Sequence, residues 1–188
     1  MREIEIKVRL QDKEGLLAAL AGKGIVLSEP VHQRDQVFGL PGEAGGDGNG
    51  NTVPWLRVRT ETHGQGENET KRTLFTLKRS VTGQLDSIER ETEVGDPDVM
   101  IAIVKELGFV PFSDLSKTRR TGKLNDVEVC IDSVEGLGDF MELERLAGEN
   151  ADPAAITDDL WRIMAELGVS RQDEVTDGYD ILMKKLEA

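Results

Sequence analysis

The chain has 188 residues and carries 36 acidic against 23 basic side chains, which gives a formal net charge of −13. A protein this acidic, with only 4% aromatic residues, lacks the basic surface and the stacking platforms that nucleic-acid binding requires, so we expect no nucleic-acid partner. The length is sufficient for a hydrophobic core without cross-links, and we predict a single domain over residues 1–188.

The cysteine content and the hydropathy narrow the class of protein further. The single cysteine, Cys130, excludes an internal disulfide, and we expect it to be a small buried residue on a strand. No apolar run approaches the roughly 20 residues that span a bilayer. The chain starts with Met-Arg-Glu and then a predicted strand, which does not fit a signal peptide. We therefore expect a cytoplasmic protein with no membrane partner.

The predicted elements alternate strands with capped helices. An extended strand pattern occurs at residues 2–10, 25–40, 55–61, 73–81, 86–94, 109–121, 127–134 and 139–146, and the long second segment is either one bent strand or two short ones. An aspartate or an Asp-Pro pair predicts helix starts near residues 12, 96, 152 and 177, and glycines predict most of the helix ends. About eight strands and four helices indicate an α+β fold with several hairpins.

Two polar segments separate predicted strands. Residues 41–52 contain five glycines among small polar residues, too many to pack, and we predict a flexible hairpin loop here. A domain boundary is the alternative, but the flanking segments look like paired strands. The segment 63–72 is predicted to be a second loop.

Charged residues recur at every second position of most predicted strands. Because side chains alternate between the faces of a strand, Glu3, Glu5 and Lys7 share one face, while Ile4 and Ile6 share the other. For one strand, an ordinary solvent-exposed face is the simplest interpretation. The pattern recurs, however, on further strands, at Arg57/Arg59, Thr76/Lys78, Glu89/Glu91/Glu93, Lys117/Arg119, Glu128/Cys130/Asp132 and Glu142/Glu144.

The repeated pattern leaves two architectures open. The amphipathic helices need the apolar strand faces, so the charged faces lie on the other side of the sheet. An open sheet would leave them in solvent, whereas a closed barrel would turn them into a polar tunnel. Charges of both signs in a tunnel suit a divalent cation together with a polyanion, because carboxylates bind Mg²⁺ or Mn²⁺ and arginine forks match phosphate oxygens.

The same residues resemble the motifs of the CYTH superfamily, also called triphosphate tunnel metalloenzymes. Its Glu-x-Glu-x-Lys signature is matched by Glu3, Glu5 and Lys7. The later motifs are matched in the expected order by Asp35–Pro41, Leu56–Arg59, Thr76–Lys78, Glu91–Glu93, Lys117–Arg119, Asp132 and Gly136–Glu144. The last segment, Gly-Leu-Gly-x-Phe-x-Glu-x-Glu, is most similar to the class IV adenylate cyclase branch. Val37 departs from the tyrosine usual in the family.

The resemblance implies a closed eight-stranded antiparallel β-barrel, a tunnel, with helices packed outside. It also implies the role of each charged position. Catalytic roles fall to Lys7, Glu5 and Glu144, with Lys7 contacting a phosphate or orienting the nucleophile. The implied metal ligands, for Mg²⁺ or Mn²⁺, are Glu3, Glu5, Glu142 and Glu144; the implied phosphate-binding residues are Arg57, Arg59, Lys78, Lys117 and Arg119; the supporting residues are Glu91, Glu93 and Asp132.

Two reactions fit such a site, and the sequence leaves both open. An adenylate cyclase converts ATP to cyclic AMP and pyrophosphate, whereas a triphosphatase hydrolyses tripolyphosphate, a nucleoside triphosphate or thiamine triphosphate. A non-catalytic polyphosphate or nucleotide sensor is a third alternative, which the complete acidic set disfavours. The expected small-molecule partner is therefore ATP or tripolyphosphate, and a homodimer is one expected assembly.

Overall fold

The computed structural model describes residues 2–42, 54–83 and 85–187. Within these ranges the chain forms eight strands, four α-helices and two short 3₁₀ turns. The strands are β1 (Arg2–Arg9), β2 (Val31–Gly39), β3 (Trp55–His63), β4 (Thr70–Gly83), β5 (Asp86–Val94), β6 (Val110–Leu124), β7 (Val127–Val134) and β8 (Gly138–Ala147). The helices are α1 (Lys13–Gly22), α2 (Pro97–Glu106), α3 (Pro153–Glu166) and α4 (Tyr179–Glu187).

The strands close into an antiparallel barrel in the order β1-β5-β4-β3-β2-β6-β7-β8. Strands β2 to β5 follow one another as neighbours, and so do β6 to β8. The first strand lies between these two groups and pairs antiparallel with both β5 and β8. The predicted closed eight-stranded α+β barrel is therefore confirmed.

Apolar side chains on the outer face of the barrel form the core with the helices. On β1, Ile6 and Val8 face outward and belong to a buried cluster with Leu20 of α1 and with Leu160 and Met164 of α3. A separate cluster joins the outer faces of β2 and β3 to α2. The helices thus cover the apolar strand faces, which leaves the charged faces to line the interior.

Aspartates begin three of the helices, as the sequence predicts. The side chains of Asp12, Asp96 and Asp152 accept hydrogen bonds from backbone N–H groups of the first turn, at 2.9, 3.0 and 3.0 Å. Each bond satisfies a donor that the helix itself leaves unpaired. Proline occupies the first helical position of α2 and α3, where no N–H is required.

Three segments refine the predicted element bounds. The predicted extended segment 25–40 contains one strand, Val31–Gly39. This strand begins directly after Pro30, which has no N–H group for pairing with a neighbouring strand. The predicted loop at 63–72 is shorter, since β3 continues to His63 and β4 begins at Thr70. The predicted loop at 41–52 lies outside the described residues beyond Gly42.

Helix α4 has a different position from the other three. It packs against β6, and Tyr179 at its start joins a small buried cluster with Leu115, Val134 and Phe140. Its first residues therefore reach the end of the barrel interior. None of the helices in the described part of the chain is long and apolar enough to cross a membrane. The extent of the domain over the whole chain stays a prediction.

Candidate active site

The barrel encloses a cavity of about 420 Å³. All eight strands contribute side chains to it, because the inward positions of each strand are the ones that carry the alternating polar residues. Most of the predicted site residues line this cavity: Glu3, Glu5, Lys7, Arg57, Arg59, Lys78, Glu91, Lys117, Arg119, Glu142 and Glu144.

Three of the four predicted metal ligands converge on one wall. Glu5 on β1 lies directly opposite Glu144 on β8, and Glu142 is two residues from Glu144 on the same face. Carboxylate oxygens of Glu5, Glu142 and Glu144 all lie within 4.8 Å of one another. Like charges placed opposite each other destabilise an antiparallel pair, so this acidic trio is a candidate site for a cation.

The fourth predicted ligand lies apart from the trio. Glu3 is opposite Leu146 on β8 and Ser87 on β5, so no acidic residue is its direct partner. Its Oε1 atom is instead 3.7 Å from Nζ of Lys78. Glu3 thus pairs with the neighbouring basic residue, and its role as a metal ligand stays a prediction.

Burial raises the pKa of two members of the acidic trio, and charge repulsion adds to the effect. Burial, with help from Glu3 and Glu142 and against the pull of Arg119, raises the pKa of Glu144 to about 8. Burial and the charge of Glu142 also raise the pKa of Glu5. For Glu142, burial acts in the same direction, but Lys7 and Arg119 outweigh it and hold the pKa well below its ordinary value. A cation bound here would compete with protons.

Lys7 is buried beside the trio. Its Nζ atom is 3.2 Å from Glu142 Oε1 and 3.5 Å from Glu5 Oε1, and it lies 3.4 Å from the backbone carbonyl oxygen of Asp177. Burial acts to lower the pKa of Lys7, but Glu142 and Glu5 outweigh burial and raise it. Lys7 is therefore a fixed positive charge in the interior.

Most of the predicted phosphate-binding residues are already paired with carboxylates. Arg59 donates two hydrogen bonds of 2.6 Å to Asp35. Arg119 donates two of 2.7 Å to Asp132, and it also contacts Glu142 and Glu144. These forks fix the position and orientation of the guanidinium groups.

Arg57 is the least engaged of the arginines in the cavity. Its Nη2 atom is 3.4 Å from Thr76 Oγ1 and 3.6 Å from Glu91 Oε2. Its buried Nε atom has no hydrogen-bond partner among the described residues. Burial and the neighbouring Arg59 lower the pKa of Arg57, as expected for a buried cation whose compensation is incomplete. An anion in the cavity would satisfy it.

The two lysines among the predicted phosphate-binding residues form ion pairs with different carboxylates. Lys78 forms ion pairs with Glu89 and, at 3.7 Å, with Glu3. Lys117 donates a 2.8 Å hydrogen bond to Asp132. Burial lowers the pKa of both ammonium groups, and Arg119 adds to the effect at Lys117.

The predicted supporting residues separate into three environments. Asp132 is fully buried behind Lys117 and Arg119 and orients both. Glu91 lies at the edge of the cavity, where it accepts a 2.7 Å hydrogen bond from Thr76. Glu93 is exposed and does not line the cavity.

Cys130 takes the buried strand position that the sequence predicts. It lies on β7, and its Sγ atom can share a ligand cluster with Glu128 and Glu144. Burial and the charge of Glu144 raise the pKa of the thiol well above its ordinary value. Sulfur is a soft ligand, whereas Mg²⁺ and Mn²⁺ prefer oxygen, so the all-carboxylate trio is the better candidate site for such a cation.

Sequence reasoning missed several residues that line the cavity. Tyr179 is the clearest case, since its ring centroid lies 4.4 Å from Nζ of Lys7 and 4.9 Å from Nζ of Lys117. No local pattern marks this tyrosine. Gln33 and Glu61, in contrast, continue the period-two alternation of Asp35 and Arg59 and could have been found by extending it.

A CYTH domain matches residues 1–179. The chain belongs to the CYTH family. A relative from Methanocaldococcus jannaschii, named "putative adenylate cyclase", is 29% identical over 182 residues, which cover 95% of this chain and 97% of the relative. The CYTH resemblance predicted from the motifs is thereby confirmed.

Solved structures agree with this assignment. The PH1012 protein from Pyrococcus horikoshii is 28% identical, with a TM-score of 0.76 over 96% of this chain and 98% of that one. A "putative adenylate cyclase" from Vibrio parahaemolyticus has a TM-score of 0.75 with 97% of both chains covered. Its identity of 16% supports the fold alone.

Proposed function

We propose that this CYTH protein is a metal-dependent enzyme that converts ATP to cyclic AMP and pyrophosphate inside the barrel. The observation that carries the proposal is the meeting of an acidic trio and a set of buried cations in one cavity inside the closed barrel. The name of the Methanocaldococcus jannaschii relative supports the choice of the cyclase reaction.

The donor set of the trio fits a divalent cation such as Mg²⁺ or Mn²⁺. Glu5, Glu142 and Glu144 offer only carboxylate oxygens, the ligands that these hard cations prefer. They also carry the unrelieved repulsion that raises two of their pKa values. When bound, the cation would neutralise charge on phosphate oxygens in the transition state.

The cations across the cavity would hold the triphosphate. Arg57 brings a buried Nε without a partner among the described residues, which is the strongest single reason to expect an anion here. Arg59, Lys78, Lys117 and Arg119 are held by carboxylates in fixed positions, so that a phosphate meets preorganised donors. Preorganised charge is the largest contribution to phosphoryl-transfer catalysis.

The proposed reaction requires positioning rather than a covalent nucleophile. The ribose 3′-oxygen forms a bond to the α-phosphorus, the bond from that phosphorus to the bridging oxygen breaks, and pyrophosphate leaves with the electron pair. The hydroxyl proton passes to solvent water. Lys7, fixed between Glu5 and Glu142, is the cation that would orient the nucleophile or contact a phosphate.

A product assay tests the proposal directly. The purified chain is incubated with ATP or with tripolyphosphate, each with Mg²⁺, Mn²⁺ or EDTA, and the products are resolved by chromatography. We expect cyclic AMP and pyrophosphate from ATP, with no product in EDTA. If orthophosphate forms in place of cyclic AMP, the protein is a triphosphatase and not a cyclase. Tight binding without any product would contradict an enzymatic role and indicate a sensor.

A further inference from the structure

Gln33 on β2 is a buried amide that faces the barrel cavity. Only 5% of its surface is exposed, and it lines the cavity between Asp35 and Val31 on the same face of the strand. Its Nε2 atom donates a 2.8 Å hydrogen bond to Oε1 of Glu61. Its Oε1 atom is buried and accepts no hydrogen bond from any described residue.

The orientation of the Gln33 amide is set by its partner. Burial acts to raise the pKa of Glu61, but hydrogen bonds from Arg72 and Gln33 outweigh burial and lower it, so Glu61 is a carboxylate. A carboxylate can only accept hydrogen bonds, and the amide must therefore present its NH₂ group to Glu61. The carbonyl oxygen of Gln33 is left as an acceptor without a donor.

The neighbours of Gln33 connect this acceptor to the phosphate-binding residues. On the two strands adjacent to β2, Gln33 lies opposite Glu61 of β3 and opposite Lys117 of β6. Glu61 in turn pairs with Arg72 on β4, which gives a continuous row of four cavity-lining side chains. Each charged side chain of this row has a partner of opposite charge. The carbonyl oxygen of Gln33, in contrast, has no donor among the described residues.

Apolar side chains lie next to this row. Val31 precedes Gln33 by two residues, and Leu115 and Leu74 also line the cavity. Leu115 is opposite Asp35, one row further along the barrel. An acceptor beside apolar surface suits the organic part of a ligand, because a bare polyphosphate brings oxygen acceptors and no donor at neutral pH.

We propose that Gln33 is a specificity-determining residue whose side-chain carbonyl accepts a hydrogen bond from an amino or hydroxyl group on the nucleoside part of the substrate. The proposal rests on the triphosphate site proposed above and narrows its substrate to a nucleoside triphosphate that carries such a donor beside the phosphates at Lys117. A buried acceptor left unpaired costs free energy, so a ligand with the donor is favoured over one without it.

The test measures binding without turnover. Isothermal titration in EDTA compares ATP with three analogues that each lack one donor: purine riboside 5′-triphosphate, which lacks the 6-amino group, 2′-deoxy-ATP and 3′-deoxy-ATP. Tripolyphosphate serves as the ligand without a nucleoside. For the unsubstituted protein we expect one of the three analogues to bind about tenfold more weakly than ATP.

Two matched variants assign that discrimination to Gln33. Gln33→Met removes the amide and keeps the length of the side chain, and we expect it to bind ATP and the discriminated analogue equally while its affinity for tripolyphosphate stays unchanged. Gln36→Met makes the same substitution three residues later on β2, at a residue that does not line the cavity, and should keep the discrimination.

The outcomes separate this proposal from the proposed reaction. Equal affinity of the unsubstituted protein for ATP and all three analogues would overturn the role of Gln33, even if ATP is turned over to cyclic AMP. Discrimination that survives in Gln33→Met would overturn it as well. Discrimination that depends on Gln33, in a protein that produces no cyclic AMP, would support the role of Gln33 and contradict the cyclase reaction alone.

Discussion

Glu5 and Glu144 lie directly opposite each other on neighbouring strands, inside a closed barrel, with Glu142 in the same cluster. Two carboxylates in this position repel each other, and burial deprives them of the water that would screen the repulsion. Burial raises the pKa of both groups, and the charge of Glu142 adds to the effect at each of them. Such a pair is a candidate site for a cation, whose charge would offset the repulsion.

Replacing either carboxylate of this pair should remove metal-dependent activity without unfolding the protein. For Glu5→Gln and for Glu144→Gln we expect Mn²⁺ binding about 100-fold weaker and turnover abolished. Thermal unfolding in EDTA should occur at the same or a higher temperature, because the substitution removes a like-charge contact. The matched control is Glu106→Gln, at an exposed position of α2. Full activity in either cavity variant would rule out the metal assignment.

Metal binding should depend steeply on pH. Since the pKa of Glu144 is about 8, its carboxyl group holds a proton at neutral pH that must leave when the metal enters, and the raised pKa of Glu5 acts in the same direction. We expect Mn²⁺ affinity to increase from about pH 6 to about pH 9, with proton release detected by titration calorimetry in buffers of different ionisation enthalpy. In Glu144→Gln the dependence should flatten. A pH-independent affinity in the unsubstituted protein would contradict this ligand set.

Local sequence patterns predicted most of the strands and the direction in which their charged residues point. The Glu3-Ile4-Glu5-Ile6-Lys7 alternation is local, so it fixes which side chains face inward. Which glutamates meet across neighbouring strands depends on the register with a distant strand: Glu5 lies opposite Glu144, whereas Glu3 lies opposite Leu146. Glu3 and Glu5 look alike in the sequence, and only the pairing of β1 with β8 distinguishes them.

Residues from distant helices could not be predicted for the same reason. Tyr179 enters the cavity because α4 packs against β6, a contact that no periodicity of the last helix reveals. The exposure of Glu93 also depends on distant pairing, because among the described residues β1 pairs with β5 only at Asp86–Ile88 and Glu93 lies on a part of β5 that pairs with β4 alone. Its spacing from Glu91 is the same as that of any inward pair. The alternating pattern alone did not distinguish a closed barrel from an open sheet with a solvent-exposed charged face. The resemblance to the family is what predicted the closed barrel.

The ion pair of Asp35 and Arg59 should contribute to stability in proportion to its burial. Asp35→Ala leaves the buried Arg59 guanidinium without its partner, and we expect a loss of about 3–5 kcal/mol in the free energy of unfolding. Arg34 and Asp114 offer an exposed control with the same two-bond geometry. Asp114→Ala should cost about 0–1 kcal/mol. Urea denaturation of both variants measures the difference, and equal losses would contradict the expectation.

Acidification should weaken the same buried pair. Burial acts to raise the pKa of Asp35, but Arg59 outweighs it and holds the pKa well below its ordinary value. The stabilisation is therefore present above the unfolded-state pKa of about 4 and is lost as the pH falls through the lower folded-state pKa. We expect the difference in unfolding free energy between the unsubstituted protein and Asp35→Ala to shrink progressively below about pH 4. A difference that stays constant down to pH 2 would exclude this carboxylate as the cause.

The ring of Tyr179 should affect triphosphate binding through Lys7 and Lys117, whose ammonium groups both lie within 5 Å of its centroid. Contact with an aromatic ring stabilises a buried cation by about 0.5–2 kcal/mol. Tyr179→Phe keeps the ring, and we expect tripolyphosphate affinity close to that of the unsubstituted protein. Tyr179→Leu removes the ring, and affinity should fall about tenfold.

Phe112→Leu, which removes a ring 5.8 Å from Lys184 and outside the cavity, is the matched control and should bind normally. Equal weakening in the Phe and Leu variants would instead assign the effect to the hydroxyl group.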